Sequence, residues 1–443
     1  MRSAFRYLMR RPRLHAYLRT LYMEEANRRG AAPREIETSI GEVMPLGCRQ
    51  SDLDGPTRLN LLLPALSVRH VFGGISTALQ VFNEVVRADK DARIILTDER
   101  AFSRGDNPAM GAWEVVAPED ADRPGRTIVP YGDRFSRTIA VSRRDRFMAT
   151  AWWTAHLARE VRDWQRSEFG LLRRPPFIYL IQDFEPGFYA WSSRYVLADS
   201  TYRKPDETVA VFNTDLLKRF FLDEGYPFDD ALVLQPGLNP GLKVELAAGA
   251  DGSDADRERR IIVYGRPGVE RNAFPIIVEG LRKWLQRHPE LDWEFVSVGE
   301  PHPEVALGAG KKLVSLGKLT IAGYAQEMRR ARIGISLMVS PHPSYPPLEM
   351  AAFGVSVITN AYKRKDLSNW SNRILSLNDV SPDGVAAALE QLSSGRTDTV
   401  ERDPSEKADF DRYLEGGTDT RSLAREILGR LELYERRAMQ SSP

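Results

Sequence analysis

A single cysteine, Cys48, among 443 residues leaves no internal disulfide to form and fits a reducing compartment. No apolar run approaches the roughly 20 residues needed to span a bilayer, and the amino terminus lacks the apolar stretch of a secretory signal. A cytoplasmic location is therefore expected. Charge of one sign is missing too. Lys+Arg number 62 against 61 Asp+Glu, a net charge of +1, so global charge argues for no nucleic-acid partner. No His/Cys cluster suggests zinc. The Gly-x-Gly-x-x-Gly fingerprint is absent, which disfavours an NAD enzyme. Asp52-Leu-Asp54 and Asp254-Ala-Asp256 lie in connectors and Asp409-Phe-Asp411 lies near the carboxyl end. None follows a central strand, where such a pair would hold a divalent ion. Neither a metal nor a cofactor is expected.

What is present points to two α/β domains. The length exceeds one ordinary core, and 42% apolar with 28% charged residues is ordinary for a globular protein. Residues 1–56 form a basic extension, in which Arg2, Arg6, Arg10, Arg11, Arg13 and Arg19 alternate with Phe5, Tyr7, Leu8, Leu14, Tyr17 and Leu18. Such a helix suits an anionic membrane surface, on the inner face of the membrane. It equally suits packing on the body of the protein or an oligomer contact. Residues 31–56 read as an irregular connector.

A first α/β domain is expected over residues 57–240. Strands are read at Leu59–Leu63, Arg93–Thr97, Thr138–Ser142, Phe177–Asp183, Tyr195–Asp199, Thr208–Phe212 and Leu232–Leu234. Gly73 and Gly74 open a helix, where free backbone N–H groups can meet an anion. By themselves they fit a plain tight turn as well. Asp183 ends an apolar strand, where ligands of open α/β sheets bind. It can orient or deprotonate a substrate hydroxyl, or simply cap the next turn. Glu185 is a weaker candidate. Residues 235–257 carry no apolar period and read as the boundary.

A second α/β domain is expected over residues 258–415, and residues 416–443 are read as a helix crossing back to the first. Arg266 and Arg271 follow the strand Ile261–Tyr264, and guanidinium groups fork onto phosphate oxygens. Lys318 stands between a strand and a helix, as a phosphate contact or a surface lysine. The stretch Ser340 to Asn360, SPHPSYPPLEMAAFGVSVITN, has strand, loop, short helix, tight turn and strand in succession. Glu349 falls in the first helical turn, where the dipole favours an anion by about 0.3–1 kcal/mol. Gly354 sits where a helix end needs φ > 0. Tyr345 is one turn before Glu349.

This last stretch resembles the nucleotide-binding signature of retaining glycosyltransferases with the GT-B fold (family 4 type), and within them rhamnosyltransferases of the WsaF type, in which Ser-Tyr-Pro-Pro-Leu-Glu occupies this place. Gln182 to Tyr189 resembles a segment of the same group. Gly265-Arg266, with a cation at Arg271 where the family has Lys, resembles its pyrophosphate clamp. The first glutamate of the family's pair is replaced by Pro341, beside His342. The resemblance implies two doubly wound Rossmann-like domains facing a cleft. It implies transfer of a sugar, L-rhamnose on a thymidine nucleotide in the closest group, to a hydroxyl of a glycan or lipid-linked glycan in surface polysaccharide synthesis. It places Glu349 on the ribose, with Tyr345 covering the site, Arg266, Arg271 and Lys318 at the pyrophosphate, Gly73 and Gly74 near the donor phosphates, and Asp183 at the acceptor. The nucleotide sugar is then substrate, without metal. A nucleotide-sugar epimerase and a non-catalytic scaffold with this fold are the alternatives.

Overall fold

The computed structural model describes residues 39–440 except 54, 56, 69–72, 87–90, 136, 206, 250–256 and 395–403. The basic stretch before residue 39 lies outside the described residues. The chain divides into two compact units, Met1–Met44 and Pro45–Pro443. Of the first unit, the described part contains one 3-10 turn, Gly41–Val43.

In the second unit the strands are β1 (Cys48–Gln50), β2 (Leu59–Leu63), β3 (Ala92–Leu96), β4 (Glu114–Val115), β5 (Arg126–Pro130), β6 (Ile139–Val141), β7 (Arg146–Ala149), β8 (Phe177–Ile181), β9 (Thr208–Phe212) and β10 (Leu232–Val233), then β11 (Glu258–Gly265), β12 (Glu294–Gly299), β13 (Val305–Gly308), β14 (Lys311–Gly317), β15 (Ala331–Ile335), β16 (Ser356–Asn360) and β17 (Ile374–Leu377). Eight form one parallel sheet in the order β10-β9-β8-β7-β2-β3-β5-β4. Seven form another in the order β13-β14-β12-β11-β15-β16-β17, antiparallel only between β13 and β14. Both are doubly wound.

Continuous apolar strands follow from burial on both faces. Every residue of β2, β3, β8 and β9 is buried. One layer of the first core lies between Leu61, Ile94, Ile178 and Val211 and the helix Gly73–Val85; the opposite layer joins Leu62, Tyr179 and Phe212 to the helix Trp152–Glu168. The second sheet is covered likewise, by Ile277, Leu281 and Leu389 on one face and Met328, Leu348 and Met350 on the other.

The structure corrects several expectations. Tyr195–Asp199 is not a strand but lies in the helix Ser193–Ser200, started by Ser192, whose hydroxyl accepts the Tyr195 N–H at 3.3 Å. Residues 31–56 are not all connector, because Cys48–Gln50 pairs with β6 in a separate two-stranded sheet. This also takes Thr138–Ser142 out of the main sheet. Residues 235–257 contain the helix Pro240–Ala248, capped by Asn239, whose side chain accepts the Gly241 N–H at 2.8 Å. β4, β5 and β13 carried too few residues or too mixed a pattern to be read in advance.

The amino ends of the central strands are tied by a buried ionic network. Arg58 donates from Nε to Asp145 Oδ1 at 2.9 Å, from Nη2 to Asp145 Oδ2 at 2.8 Å and from Nη1 to Asp122 Oδ1 at 2.7 Å. Arg93 joins through Asp145 Oδ2 at 3.3 Å and Asn60 Oδ1 at 2.6 Å. Burial lowers the Arg93 pKa to about 10 and raises that of nearby Cys48 to about 12.

The helix Thr420–Gln440 packs on the first sheet's side, with Leu423, Ala424, Ile427 and Leu431 buried in its core and Glu435 accepting from Arg146 Nε at 2.8 Å. The chain therefore passes between the sheets twice, once after β10 and once before this helix. The two passages are bonded to each other: Leu238 N–H to Tyr413 O at 2.8 Å, Thr418 N–H to Gln235 O at 3.0 Å and Gln235 N–H to Thr418 Oγ1 at 2.7 Å. A Cβ on Gly237 would lie 2.2 Å from the Gly416 carbonyl, so only glycine permits this approach. No described helix is long and apolar enough to cross a membrane.

Candidate functional site

In each sheet the strand order reverses at one point, between β2 and β7 and between β11 and β15. Ligands of open α/β sheets bind beyond the carboxyl ends of strands at such points. The loops found at these points are Gly73–Gly74 after β2, Arg266–Asn272 after β11 and residues 336–345 after β15, with Gln182–Phe188 after β8 one strand further along. These loops meet.

Asp183 is the meeting point. It is buried, and its Oδ1 accepts from its own turn at Phe184 N (2.8 Å) and from the Ser340 hydroxyl in the second sheet's loop. Arg271 Nε lies 3.6 Å from Asp183 Oδ2, an ion pair too long for a hydrogen bond. The Arg271 guanidinium stacks 4.2 Å over the Phe188 ring. Read along the chain, Asp183 and Arg271 belong to separate domains; the fold puts them face to face. Glu185 lies behind, accepting the Trp152 N–H at the start of the helix Trp152–Glu168 and the Tyr202 hydroxyl at 3.3 Å. Burial pushes its carboxyl up to about 8, which suits a protonated structural role.

The loop after β15 is held at almost every residue. Asn360 Oδ1 accepts Met338 N–H at 2.6 Å, and Val339 N–H reaches Arg271 O at 2.7 Å. His342 N–H reaches Ser340 Oγ at 3.0 Å, and Ser344 N–H reaches His342 Nδ1 at 3.0 Å. Ser344 takes φ +68°, a strained value for a residue with a Cβ, and strain of this kind gathers at functional loops. Burial takes the His342 imidazole down to about 4, so it is neutral at physiological pH. Lys365, only 1% exposed, donates to the Met338 carbonyl at 2.6 Å. Burial lowers its pKa to about 7 while Asp183 favours its charge.

Tyr345 closes the seam from above. Its hydroxyl pairs with Asn213, which donates from Nδ2 at 3.0 Å, and a Cβ on Gly73 would be 3.6 Å from its ring. Gly74 has its neighbour in Gln182, whose Oε1 would be 3.0 Å from an added Cβ; that Oε1 is buried and accepts no hydrogen bond. The helix Pro346–Ala352 begins earlier than its apolar pattern suggests and is followed by Gly354 at φ +80°. Glu349 in its first turn is part-buried. Loss of water pushes its carboxyl up to about 7, and the nearby Tyr324 hydroxyl opposes that shift more weakly. Arg266, half-buried, runs beside Gly299 and interacts with the Tyr264 side chain. Lys318 is exposed in the turn between β14 and the helix Ile321–Arg330. Among the described residues no group of three or more His, Cys, Asp or Glu is placed to hold a metal ion.

Two family models fit this chain. "WsaF, N-terminal domain" matches residues 58–215, and "WsaF, C-terminal domain" matches residues 259–390. The chain belongs to the WsaF family. It is also similar to the O-antigen biosynthesis protein RfbC of Myxococcus xanthus, 30% identical over 370 residues, which are 79% of this chain and 26% of that relative. The chain thus spans well under half of that relative's length. Among solved structures, sucrose-phosphate synthase from Thermosynechococcus elongatus matches with a TM-score of 0.51 at 12% identity, covering 87% of this chain and 100% of that one. TarM matches with a TM-score of 0.53 at 7% identity, covering 85% and 99%. These likenesses show the GT-B fold of this WsaF-family member.

Proposed function

We propose that this WsaF-family chain is a glycosyltransferase, moving a sugar from a nucleotide donor to a hydroxyl of a glycan in bacterial surface polysaccharide synthesis. The observation that carries the reading is the convergence, on the Asp183–Ser340–Arg271 contact, of the second sheet's two switch-point loops with the loop after β8, next to the first sheet's switch point. The family's name and the O-antigen relative support the polysaccharide context. The likeness of Ser340–Asn360 to retaining, rhamnose-transferring enzymes supports retention and an L-rhamnosyl thymidine nucleotide as the first donor to test.

The roles follow from chemistry. Glu349 holds the ribose hydroxyls, and Tyr345 covers the site. As the bond from the sugar to the diphosphate breaks, negative charge grows on the leaving phosphates. Fixed cations lower the energy of that state most. Arg266 and Arg271 supply them, with Lys318 at the rim. Arg271 Nε makes no hydrogen bond, Asp183 Oδ2 lying 3.6 Å away, so a diphosphate offers its fork the bidentate partner that Asp183 does not. Asp183 then turns to the acceptor hydroxyl. Gly73 and Gly74 leave room for phosphates and acceptor to approach the backbone. The donor needs no metal on this reading.

The deciding experiment is a thermal-shift screen with UDP, GDP, dTDP and their sugars, with and without EDTA, followed by product analysis. One nucleotide should stabilise the protein equally in both conditions, by about 2.7 kcal/mol at a hundredfold excess over Kd. No shift with any nucleotide would point to a scaffold. Sugar conversion without acceptor would point to an epimerase.

Glu349 adds a pH signature. Ribose hydroxyls donate to a carboxylate, so binding requires loss of the proton held up to about pH 7. Affinity for the intact nucleotide sugar, whose diester phosphates do not titrate there, should rise as pH goes from 6 to 8 and then level off. Glu349→Gln should flatten the profile. A wild-type profile already flat in calorimetric titrations would remove Glu349 from the ribose.

A further inference from the structure

Trp191 is 95% exposed. Every other tryptophan of the chain is buried or half-buried. One exposed apolar side chain is ordinary in itself, but this one is paired with a second ring. Its indole is not loose. It stacks on the Tyr195 ring, with centroids 6.3 Å apart and planes 25° from parallel. Tyr195 lies in the first turn of the helix Ser193–Ser200, whose cap residue Ser192 follows Trp191. The result is an exposed two-ring shelf whose rings flank Ser192, Ser193 and Arg194 in the chain.

Its place is set by the segment that carries it. Trp191 is three residues past Phe188, the ring under Arg271. Tyr189 between them is anchored by the Trp152 indole N–H, which donates to its hydroxyl at 3.0 Å. The helix Ser193–Ser200 packs on the turn Glu185–Phe188, which closely follows Asp183. The shelf therefore lies beside the turn that carries Asp183 and Phe188 to the seam.

We propose that Trp191, supported by Tyr195, is a platform for a pyranose ring of the acceptor glycan. This rests on the glycosyltransferase reading and adds where the acceptor chain lies. The axial C–H face of a pyranose is apolar and slightly positive, and an aromatic face is the negative end of its quadrupole. The equatorial hydroxyls of the same ring project sideways, where Ser192, Ser193 and Arg194 offer polar partners. A flat ring pair with a polar border suits a sugar better than a folded protein surface, which would need a wider apolar area. A sugar unit held here extends the acceptor beyond the residue that reacts at Asp183, so the platform reads the chain and not only its end.

The test uses full-length protein on an array of immobilised bacterial O-polysaccharides and capsular polysaccharides. Wild type should bind at least one. Trp191→Ala should weaken that binding about tenfold, equal to 1.4 kcal/mol, with nucleotide affinity and melting temperature unchanged. Trp191→Phe should recover most of the loss. The bound polysaccharide should also shield the exposed tryptophan from iodide quenching. Unchanged glycan affinity in Trp191→Ala, or no array member bound by wild type, would overturn the platform even if nucleotide binding holds. Shielding that grows with protein concentration alone would overturn it in favour of self-association. Loss of nucleotide binding by wild type would instead remove the glycosyltransferase reading beneath it.

Discussion

Asp183→Asn is expected to lower the rate of sugar transfer by about 10²- to 10⁴-fold, the range of a positioned acid–base or orienting group, with donor affinity little changed. The substitution keeps the shape and removes the charge. Ser340 and the Phe184 N–H keep an acceptor oxygen, while Arg271 loses its ionic partner at 3.6 Å. Turnover and nucleotide affinity therefore separate: the first falls, and the second holds or improves as Arg271 is freed for phosphate. Steady-state kinetics with a fixed acceptor, alongside calorimetric titration of the nucleoside diphosphate, read the two quantities. A variant within tenfold of wild type would make Asp183 a seam residue and nothing more.

The second large effect is on stability. Asp145→Ala should cost about 3–5 kcal/mol, the penalty for removing one partner of a buried ion pair. Asp145 is fully buried, and it is the shared acceptor of Arg58 and Arg93. Its loss leaves two guanidinium groups in the interior, both desolvated, with only Asp122 as a remaining carboxylate partner among the described residues. Urea unfolding should show the midpoint displaced downward. Because the network lies at the amino ends of the strands, far along β2 from the switch-point loops, the folded fraction should bind nucleotide with wild-type affinity. A loss under 1 kcal/mol would mean that water reaches the arginines.

What was legible in the sequence was whatever local chemistry fixes. Gly354 after a short helix and a run such as Leu59–Leu63 each report their own conformation, and both are found as read. The Pro346–Pro347 pair with Glu349 marked the helix beneath the site. Asp183 was placed correctly at a strand's carboxyl end. What failed was of two kinds. Tyr195–Asp199 has the composition of a strand, yet it lies in a helix whose start is capped by Ser192, the acceptor of the Tyr195 N–H. Lys365 gave no signal at all: it lies 182 positions from Asp183, in a turn bridged at Tyr362 and Lys365, and only the three-dimensional fold brings the two charges together. His342 was visible as a neighbour of the missing glutamate, but its neutrality follows from burial that no linear pattern records. Trp191 looked like any other aromatic until its exposure was known.

The paired passages between the domains have a mechanical consequence. A single linker would act as a ball joint, free to twist and swing. Here two segments cross side by side and are bonded at Gln235–Thr418 and Leu238–Tyr413, like two knuckles threaded on one pin. Twisting one domain against the other would shear those bonds, while rotation about the line through both crossings keeps them. Gly416 at φ +126° and Gly417 at φ +71° give that line its compliant end. The seam at Asp183 should then part as a wedge, so that a ligand enters along one direction and the two facing loops return to the same register each time it shuts.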